Sequence, residues 1–573
     1  MKKIELLSGD EALARGAYEA GLKVAASYPG TPATEILEYL TRFDEVDAQW
    51  SVNEKVAYEV ALGASIAGAR SVYSSKHVGV NVAMDPLMTS VYTGVGGGFI
   101  VVTADEPGLH SSQNEQDNRL VSKFAKMPML EPCSPAEAYR MAKAAFEISE
   151  KFDTPVLIRL TTRVSHTKEN VETGERTEAG LKPFSPNPAK YVMVPANAYK
   201  KHVELEAKLL ELQKYAENSA LNKMEINDTS IGIITSGVSY LYAKEAYPDA
   251  SYLKLGMSYP FADKLIKEFA QKVKTLYVIE ELEPFIEEHV KQLGIEAKAK
   301  DPSYRAGELN SVLVKEIIEG KKKTDVPAKA RRPVMCPGCS HRPVFVALKK
   351  LKAVVAGDIG CYTLGASQPL GALHTTICMG ASVTVFESFS KILGHDKVAG
   401  IIGDSTFVHS GITGLVNAAY NKAKGLLIIS DNSTTAMTGS QPNPSTGFTA
   451  KGESTKKLVL EDICKAAGAD IVESIHAFDK NLQNKIKELM EKDALSVLIV
   501  RYPCRVLDRK KLPVPVFSKE KCVKCGACWQ IDCPAVYKGE DGFAFLDEFL
   551  CAGCNVCVNA CKFGALTERK IER

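Results

Sequence analysis

Eight of the fifteen cysteines in this 573-residue chain fall within its last 52 residues, in two runs. The first is Cys522-x2-Cys525-x2-Cys528-x4-Cys533-Pro534 and the second is Cys551-x2-Cys554-x2-Cys557-x3-Cys561. Thiolates at such spacing wrap the corners of an iron–sulfur cube, so the paired runs point to two [4Fe–4S] clusters and one-electron chemistry. In paired runs the first three cysteines serve one cube and the fourth reaches the other. The expected ligand sets are Cys522, Cys525, Cys528 and Cys561 for one cluster, and Cys551, Cys554, Cys557 and Cys533 for the second. Two details are unusual: four residues rather than three precede Cys533, and Lys562 follows Cys561 where proline is common. They predict a local loop change and retuned potentials with all eight ligands retained.

A different chemistry is spelled by Val398 to Asn432. Val398–Ile402 and Leu426–Ser430 are short apolar runs of the kind that fill buried parallel strands. A helical run to Tyr420 separates them, and each strand ends in an acid, Asp404 after Gly403 and then Asp431-Asn432. Parallel strands joined by a helix bring their carboxyl ends side by side, where open α/β sheets bind ligands. A carboxylate and an amide oxygen there suit Mg²⁺, which takes few protein ligands and completes its shell with phosphate and water. Gly403 lets the backbone approach a diphosphate closely.

The elements that must position these residues can be followed along the chain. Ser8-Gly-Asp-Glu11 reads as a capping box opening a helix to Ala20, and Lys23–Tyr28 reads as a strand. In Pro29-Gly-Thr-Pro32, Thr31 is suited to an N-cap and Pro32 to the first helical position. Trp50-Ser-Val-Asn-Glu54 opens a helix rich in small residues through Ala69. Glu54 is either a capping acid or a buried proton-handling carboxylate. Phe99–Ala104 reads as a strand, and the polar run His110–Arg119 as a site loop rather than a solvated one. Residues 171–230 break this pattern with a linker and a packing helix, Tyr199–Glu217. Strands at Ile231–Thr235, Tyr252–Leu255 and Thr275–Glu280 then build a smaller α/β domain over 231–325. Lys321–Arg332 reads as a solvated basic linker. The domain over 333–515 begins Cys336-Pro-Gly-Cys339-Ser-His341, and Gly357–Tyr362 closes another of its strands. That CxxC is redox-active or half a zinc site, and no second pair at zinc spacing lies near it. Cys133, Cys464 and Cys504 read as core residues.

Composition sets the outer limits. A chain this long needs several domains, because single cores stop growing near ~250–300 residues. With 45% hydrophobic and 24% charged residues it reads as a globular enzyme, and a net charge of +2 gives no case for nucleic acid. No apolar run approaches the ~18 residues of a membrane span, and the N-terminus turns acidic too early for an export signal. A cytoplasmic location and reduced cysteines are therefore expected.

Gly403-Asp404 followed one βαβ unit later by Asn432 resembles the metal motif of thiamine-diphosphate enzymes, with Ser405 in place of a second glycine. The resemblance implies that the Asp404 and Asn432 side chains and the Thr434 carbonyl bind Mg²⁺. It also implies that Glu54, in a separate domain, drives the aminopyrimidine to its reactive tautomer. The tail resembles a bacterial two-cluster ferredoxin. Nearly the whole chain resembles the 2-oxoacid:ferredoxin oxidoreductases. The matching stretches are Tyr28–Pro32, His110–Arg119, Cys336–Cys339, Gly357–Tyr362, Gly403–Phe407, Asp431–Gln441 and the tail. Within that family the likeness is greatest to the large (α) subunits acting on indolepyruvate.

The architecture this implies is a multi-domain α/β chain. A pyrimidine-binding domain spans 1–170, the linker and packing helix 171–230, and a small transketolase-C-like domain 231–325. The thiamine-diphosphate domain spans 333–515 and the ferredoxin-like domain 516–573. The implied cofactor-lining positions are Cys336, Cys339, His341, Gly360, Cys361, Tyr362, Gly403, Ser405 and Thr438. Thr31 would contact the substrate carboxylate. Implied partners are a small β subunit, external ferredoxin, a 2-oxo acid and coenzyme A. Three alternatives stay open at this point: a pyruvate or branched-chain substrate, a non-oxidative thiamine decarboxylase, and an electron-transfer module with a dead thiamine site.

Overall fold

The computed structural model describes residues 3–324 and 332–569, which form two compact units divided after Pro327. Most of the Lys321–Arg332 linker lies outside the described residues.

The first unit is built on a seven-stranded sheet. Its order is Met257–Tyr259, Met129–Leu130, Val156–Thr161, Phe99–Asp105, Ser71–Lys76, Val24–Ser27, Asp47–Trp50. All neighbours are parallel except the first pair. Alternate residues feed two cores, with Val72, Ile100 and Ile158 on one face and Tyr73, Val101 and Leu157 on the other. A strand buried on both faces carries a near-continuous apolar run, and Phe99–Asp105 is buried throughout. The segments holding Thr31, Glu54 and Lys76-His77 all follow carboxyl ends of strands in this sheet.

Several local expectations need correction. The helix after Pro29 starts at Thr34, with Ala33 at its N-cap position, so Thr31 does not cap it. A tight turn closed by the Ala33 amide donating to the Gly30 carbonyl (2.9 Å) delays the helix, and the Thr34 hydroxyl accepts from the Gly30 amide (3.1 Å). The capping box at Ser8 and Glu11 is present. Before it, Lys3–Ser8 is a strand pairing antiparallel with Lys168–Thr173, so order continues past residue 170. The packing helix runs Pro195–Glu217, four residues earlier than expected, because Pro195 occupies its first turn. A four-stranded sheet, Thr275–Ile279, Asp228–Thr235, Ala250–Lys254 and Lys223–Glu225, forms the small α/β region.

The polar run ending at Arg119 is in its second half a structural device. Arg119 is 1% exposed, ion-paired to Asp117 (2.5 Å) and Glu280 (2.6 Å), and donates to the Glu281 and Glu283 carbonyls. Arg159 beside it pairs with Asp105 (2.6 Å) and Glu131 (2.7 Å). Burial alone would push the Asp117 carboxyl up, but Arg119 and Arg159 outweigh that and hold it at about 2. The network ties the seven-stranded sheet to the end of the strand Thr275–Ile279.

The second unit carries a five-stranded, fully parallel sheet in the order Val354–Ala356, Val398–Gly403, Gly425–Asp431, Leu495–Arg501, Ile471–His476. Its two central strands are buried along their whole length. Beyond it, residues 516–569 have two short antiparallel pairings, Val516–Phe517 with Leu566–Thr567 and Val536–Lys538 with Ala544–Leu546, and one short helix, Val556–Ala560. Their core is small and includes Cys528 and Cys557 among its members. No described helix is long and apolar enough to cross a membrane.

Breaking the buried ionic network should be costly. Arg119→Ala takes the arginine from Glu280 and leaves Asp117 only the more distant Arg159 (3.6 Å), and should destabilise the first unit by about 3–5 kcal/mol, read as a fall in the guanidinium midpoint. The Asp117 contribution is present above its unfolded pKa, near 4, and is lost as pH falls toward 2. The gap between wild type and variant should therefore narrow over that window in acid unfolding.

Candidate active site and cysteine clusters

Register decides where the acids fall. Val398–Gly403 and Gly425–Asp431 pair parallel with Gly403 opposite Ser430, so Asp404 and Asp431 leave the sheet side by side. Asp404 is 2% exposed; its Oδ2 accepts from Ser445 Oγ (3.1 Å) and lies 3.5 Å from Asn443 Nδ2. Burial, reinforced by the Asp431 carboxylate, pushes the Asp404 carboxyl up to about 7. Asp431 is held by Arg501 (2.8 Å), which also grips Glu461. Two buried carboxylates this close repel one another, and a divalent cation relieves that repulsion. The donor set, a carboxylate, an amide oxygen and a backbone carbonyl, is the oxygen chemistry Mg²⁺ prefers.

Asn432 is buried beside them. Its Nδ2 lies 3.4 Å from His341 Nε2, and His341 Nδ1 lies 2.6 Å from Ser430 Oγ. Burial lowers the His341 pKa to about 4, so the ring is neutral near pH 7. If Nε2 accepts from the Asn432 amide, the Asn432 Oδ1 is turned the other way. There it accepts from the Thr434 amide (3.3 Å) and keeps a second lone pair. His341 thus orients the Asn432 side chain from the start of the helix His341–Leu351. Ser405 accepts from Thr435 (3.0 Å), and Thr438 donates to Gln441 (2.6 Å), closing the Thr434–Gln441 loop onto the strand edge.

Glycines here make room for one ring. A Cβ on Gly403 would meet Tyr362 Cε1 at 2.8 Å, and one on Gly360 would meet the same atom at 2.5 Å. Tyr362 is buried, donates to the Ile359 carbonyl (2.8 Å), and sets its edge toward His341 at 5.5 Å between centroids. After Asp404 the helix widens to a π turn over Phe407–Gly411 before Ile412–Tyr420, a distortion common at functional sites.

In the first unit Glu54 is buried at the head of the helix Glu54–Ile66. The cap is Asn53, whose side chain accepts from the Val56 amide (2.9 Å), so Glu54 is not the capping acid. Gly79 packs against it: a Cβ there would lie 2.8 Å from Glu54 Oε1. Thr31 is half-buried in the turn after Pro29.

The thiols gather in three groups. One cavity in the tail is lined by Cys522, Cys525, Cys528 and Cys561 together with Phe517, Trp529 and Leu566. Cys533 lies instead with Cys551, Cys554 and Cys557: burial raises the Cys557 thiol, and Cys554, Cys533 and Cys551 add more to that shift than Cys528 does. The third group adds Cys504 to three positions already expected to line the cofactor, Cys336, Cys339 and Cys361. Burial pushes Cys361 up to about 11 and Cys339 up to about 12; the neighbours contributing are Cys504 and Cys336 for the first, Cys336 and Cys361 for the second. Cys504, read from the sequence as a core residue, is half-exposed and belongs with Cys336, Cys339 and Cys361. No spacing rule could bring it there, since it follows the sheet's strand Leu495–Arg501 by three residues and Cys361 by more than a hundred. Among the described residues no three His, Cys, Asp or Glu side chains converge on a single-ion point. Thiols spread around a cube need not converge on a point. Asn443, Ser445 and Arg501 were also missed; the first two support Asp404 from a loop without a motif, and Arg501 supports Asp431 from the end of the neighbouring strand.

Residues 15–221 match the family model described as "Pyruvate flavodoxin/ferredoxin oxidoreductase, thiamine diP-bdg", and residues 358–500 match "Thiamine pyrophosphate enzyme, C-terminal TPP binding domain". A protein of Archaeoglobus fulgidus named "Indolepyruvate oxidoreductase subunit IorA" is 40% identical, with 99% of this chain and 98% of that protein aligned. Its namesake in Pyrococcus horikoshii is 39% identical over 98% of this chain and 96% of that protein. The chain belongs to the IorA family. Its two thiamine-diphosphate-binding regions therefore correspond to the seven-stranded sheet with the helices packed on it, and to the five-stranded sheet that ends in Asp404 and Asp431. The chemistry of an IorA-family oxidoreductase has to be sought at those two strand edges and in the cysteine-rich tail.

Asp404→Ala removes the buried carboxylate on which the expectation of Mg²⁺ at this edge rests. Mg²⁺-dependent thiamine diphosphate binding should fall at least tenfold by calorimetry, while iron content stays at the wild-type value. Cofactor retention at the wild-type level would refute the metal assignment.

Proposed function

We propose that this chain is the thiamine- and iron–sulfur-bearing subunit of an enzyme that oxidatively decarboxylates aryl-pyruvates of the indolepyruvate type. The products are CO₂ and an aryl-acetyl-CoA, and the two electrons released pass to ferredoxin. A small β subunit completes the enzyme, coenzyme A is the acyl acceptor, and the cytoplasm is its place. The observation that carries this reading is the presence on one chain of the Asp404–Asn432 edge and the cysteine groups. A decarboxylase that keeps its electrons has no use for those groups. The names of the full-length relatives support the aryl-pyruvate substrate.

When bound, thiamine diphosphate supplies a nucleophilic carbon able to release CO₂ from a 2-oxo acid, and [4Fe–4S] clusters take up electrons one at a time. The residues of the chain do the rest. Asp404, the Asn432 side chain and the Thr434 carbonyl would hold Mg²⁺ and through it the diphosphate. His341 keeps Asn432 turned, and Tyr362, admitted by Gly360 and Gly403, walls the pocket beside Ser405 and Thr438. Glu54, buried and relieved of capping by Asn53, would exchange a proton with the ring nitrogen of the bound cofactor. Thr31 offers its hydroxyl to the substrate carboxylate. Cys522, Cys525, Cys528 and Cys561 hold one cluster, and Cys533, Cys551, Cys554 and Cys557 a second. Cys336, Cys339, Cys361 and Cys504 fit a third, placed in the thiamine domain itself. Cluster binding removes the thiol protons that burial makes expensive to lose otherwise.

The deciding experiment is anaerobic viologen reduction by the reconstituted two-subunit enzyme with a panel of 2-oxo acids, with and without coenzyme A. Aryl-pyruvates should give the highest kcat/KM. CO₂ release at full rate without an acceptor would instead indicate a non-oxidative decarboxylase. Glu54→Gln should bind the cofactor normally and turn over at least ~10²-fold more slowly. Iron analysis should find about twelve irons per chain. Cys533→Ala should spare the cube of Cys522, Cys525 and Cys528 in EPR, and Cys561→Ala should damage it; the opposite pattern would exclude crossed ligation.

A further inference from the structure

Arg342 stands out among the buried cations of the second unit. It is 1% exposed, one residue after His341 and three after Cys339. Its guanidinium joins two cysteine groups through backbone oxygens. Nη2 donates to the carbonyls of Met335 (2.6 Å) and Cys336 (3.1 Å). Nη1 donates to the carbonyls of Ile531 (2.8 Å) and Asp532, immediately before Cys533. Nε is buried with no partner. The two loops press together at this point. A Cβ on Gly338, which has φ of +73°, would strike the Ala552 side chain at 2.7 Å, between Cys551 and Gly553.

The partners of Arg342 are all neutral carbonyls. The nearest carboxylate on that loop, Asp532, is already paired with Arg332 (2.5 Å). Its positive charge is therefore held in a water-poor seam between Cys336/Cys339 and Cys533/Cys554 without a carboxylate to cancel it. Burying a charge in this way costs stability unless something gains from it. A reduced cluster carries one more negative charge than an oxidised one, and a fixed buried cation beside it favours the reduced state.

We propose that Arg342 is a positioning residue for electron transfer. It fastens the Cys336–Cys339 loop to the Cys533 loop and, by its uncancelled charge, raises the reduction potential of the cluster held by Cys533, Cys551, Cys554 and Cys557. The same charge lies against Cys336 and Cys339, so it favours the reduced state on both sides of the seam. This rests on the ligand assignment given under Proposed function.

The test is a potentiometric EPR titration of the anaerobically purified two-subunit enzyme, with iron analysis on the same samples, for wild type, Arg342→Lys, Arg342→Gln and Arg342→Met. With iron content unchanged, the Gln and Met variants should shift the reduction equilibrium of that cluster at least tenfold toward the oxidised form, 59 mV for one electron. Arg342→Lys should recover most of the shift. A neutral variant with full iron and the wild-type potential overturns the proposal. Should the neutral variants lose the cluster while Arg342→Lys keeps it, the need for charge is upheld. Loss in all three would make Arg342 a scaffold residue only and overturn the electrostatic role. Failure of the ligand assignment is read separately, as wild-type iron near zero or a cluster signal unaffected by Cys533→Ala.

Discussion

Two carboxylates that leave neighbouring parallel strands at the same level impose the central constraint on the second unit. Gly403 lies opposite Ser430, and the next residues are Asp404 and Asp431. Each is buried, so neither can rely on water for its charge. Asp431 is neutralised within the protein by Arg501, whereas the donors to Asp404, the Ser445 and Asn443 side chains and the Ser405 amide, are neutral. The asymmetry leaves one carboxylate in want of a cation. Around it the loop 434–441, the Tyr362 ring and the His341–Asn432 pair are fixed by contacts that do not depend on that cation. A preorganised edge of this kind loses little on binding its ligand.

Much of this was legible in the sequence because it is local. Short β-rich runs ending in acids gave the strand edge, and the cysteine spacing gave two groups of thiols, since both patterns hold within a few residues. The Asp404 and Asn432 pairing crossed one helix and was still readable, because a βαβ unit has one outcome. What failed to read was long in range. Cys504 joins Cys361 only once the sheet is assembled, and Arg501 meets Asp431 across the neighbouring strand. The strand Met257–Tyr259 leaves the small α/β region to extend the first sheet. The expected cap at Thr31 failed for the opposite reason, since a competing turn four residues long took precedence over helix propensity.

Glu54 shows how a close rival is separated. From sequence, a carboxylate at a helix start is most simply a cap. The structure gives the cap to Asn53 and packs Glu54 against Gly79, a position where any side chain would collide with it. The buried acid is thereby excused from the ordinary structural task, and a glycine makes room for it.

Two buried arginines make the same distinction for positive charge. Arg119 lies among Asp117, Glu280 and backbone carbonyls, and its charge is cancelled where it stands. Such a group binds elements together and projects no field. Arg342 is equally buried and equally well bonded, but to carbonyl oxygens alone. Hydrogen bonds to neutral acceptors fix its position and leave its charge intact, so its influence reaches whatever sits on either side. On either side here are thiols of two groups, Cys336 with Cys339 and Cys533 with Cys554. An arginine whose only purpose was to join two loops would be stronger with a carboxylate as partner, and Asp532 stands in the same loop, paired to Arg332 instead. The arrangement keeps a bare positive charge at the seam where electrons would have to cross.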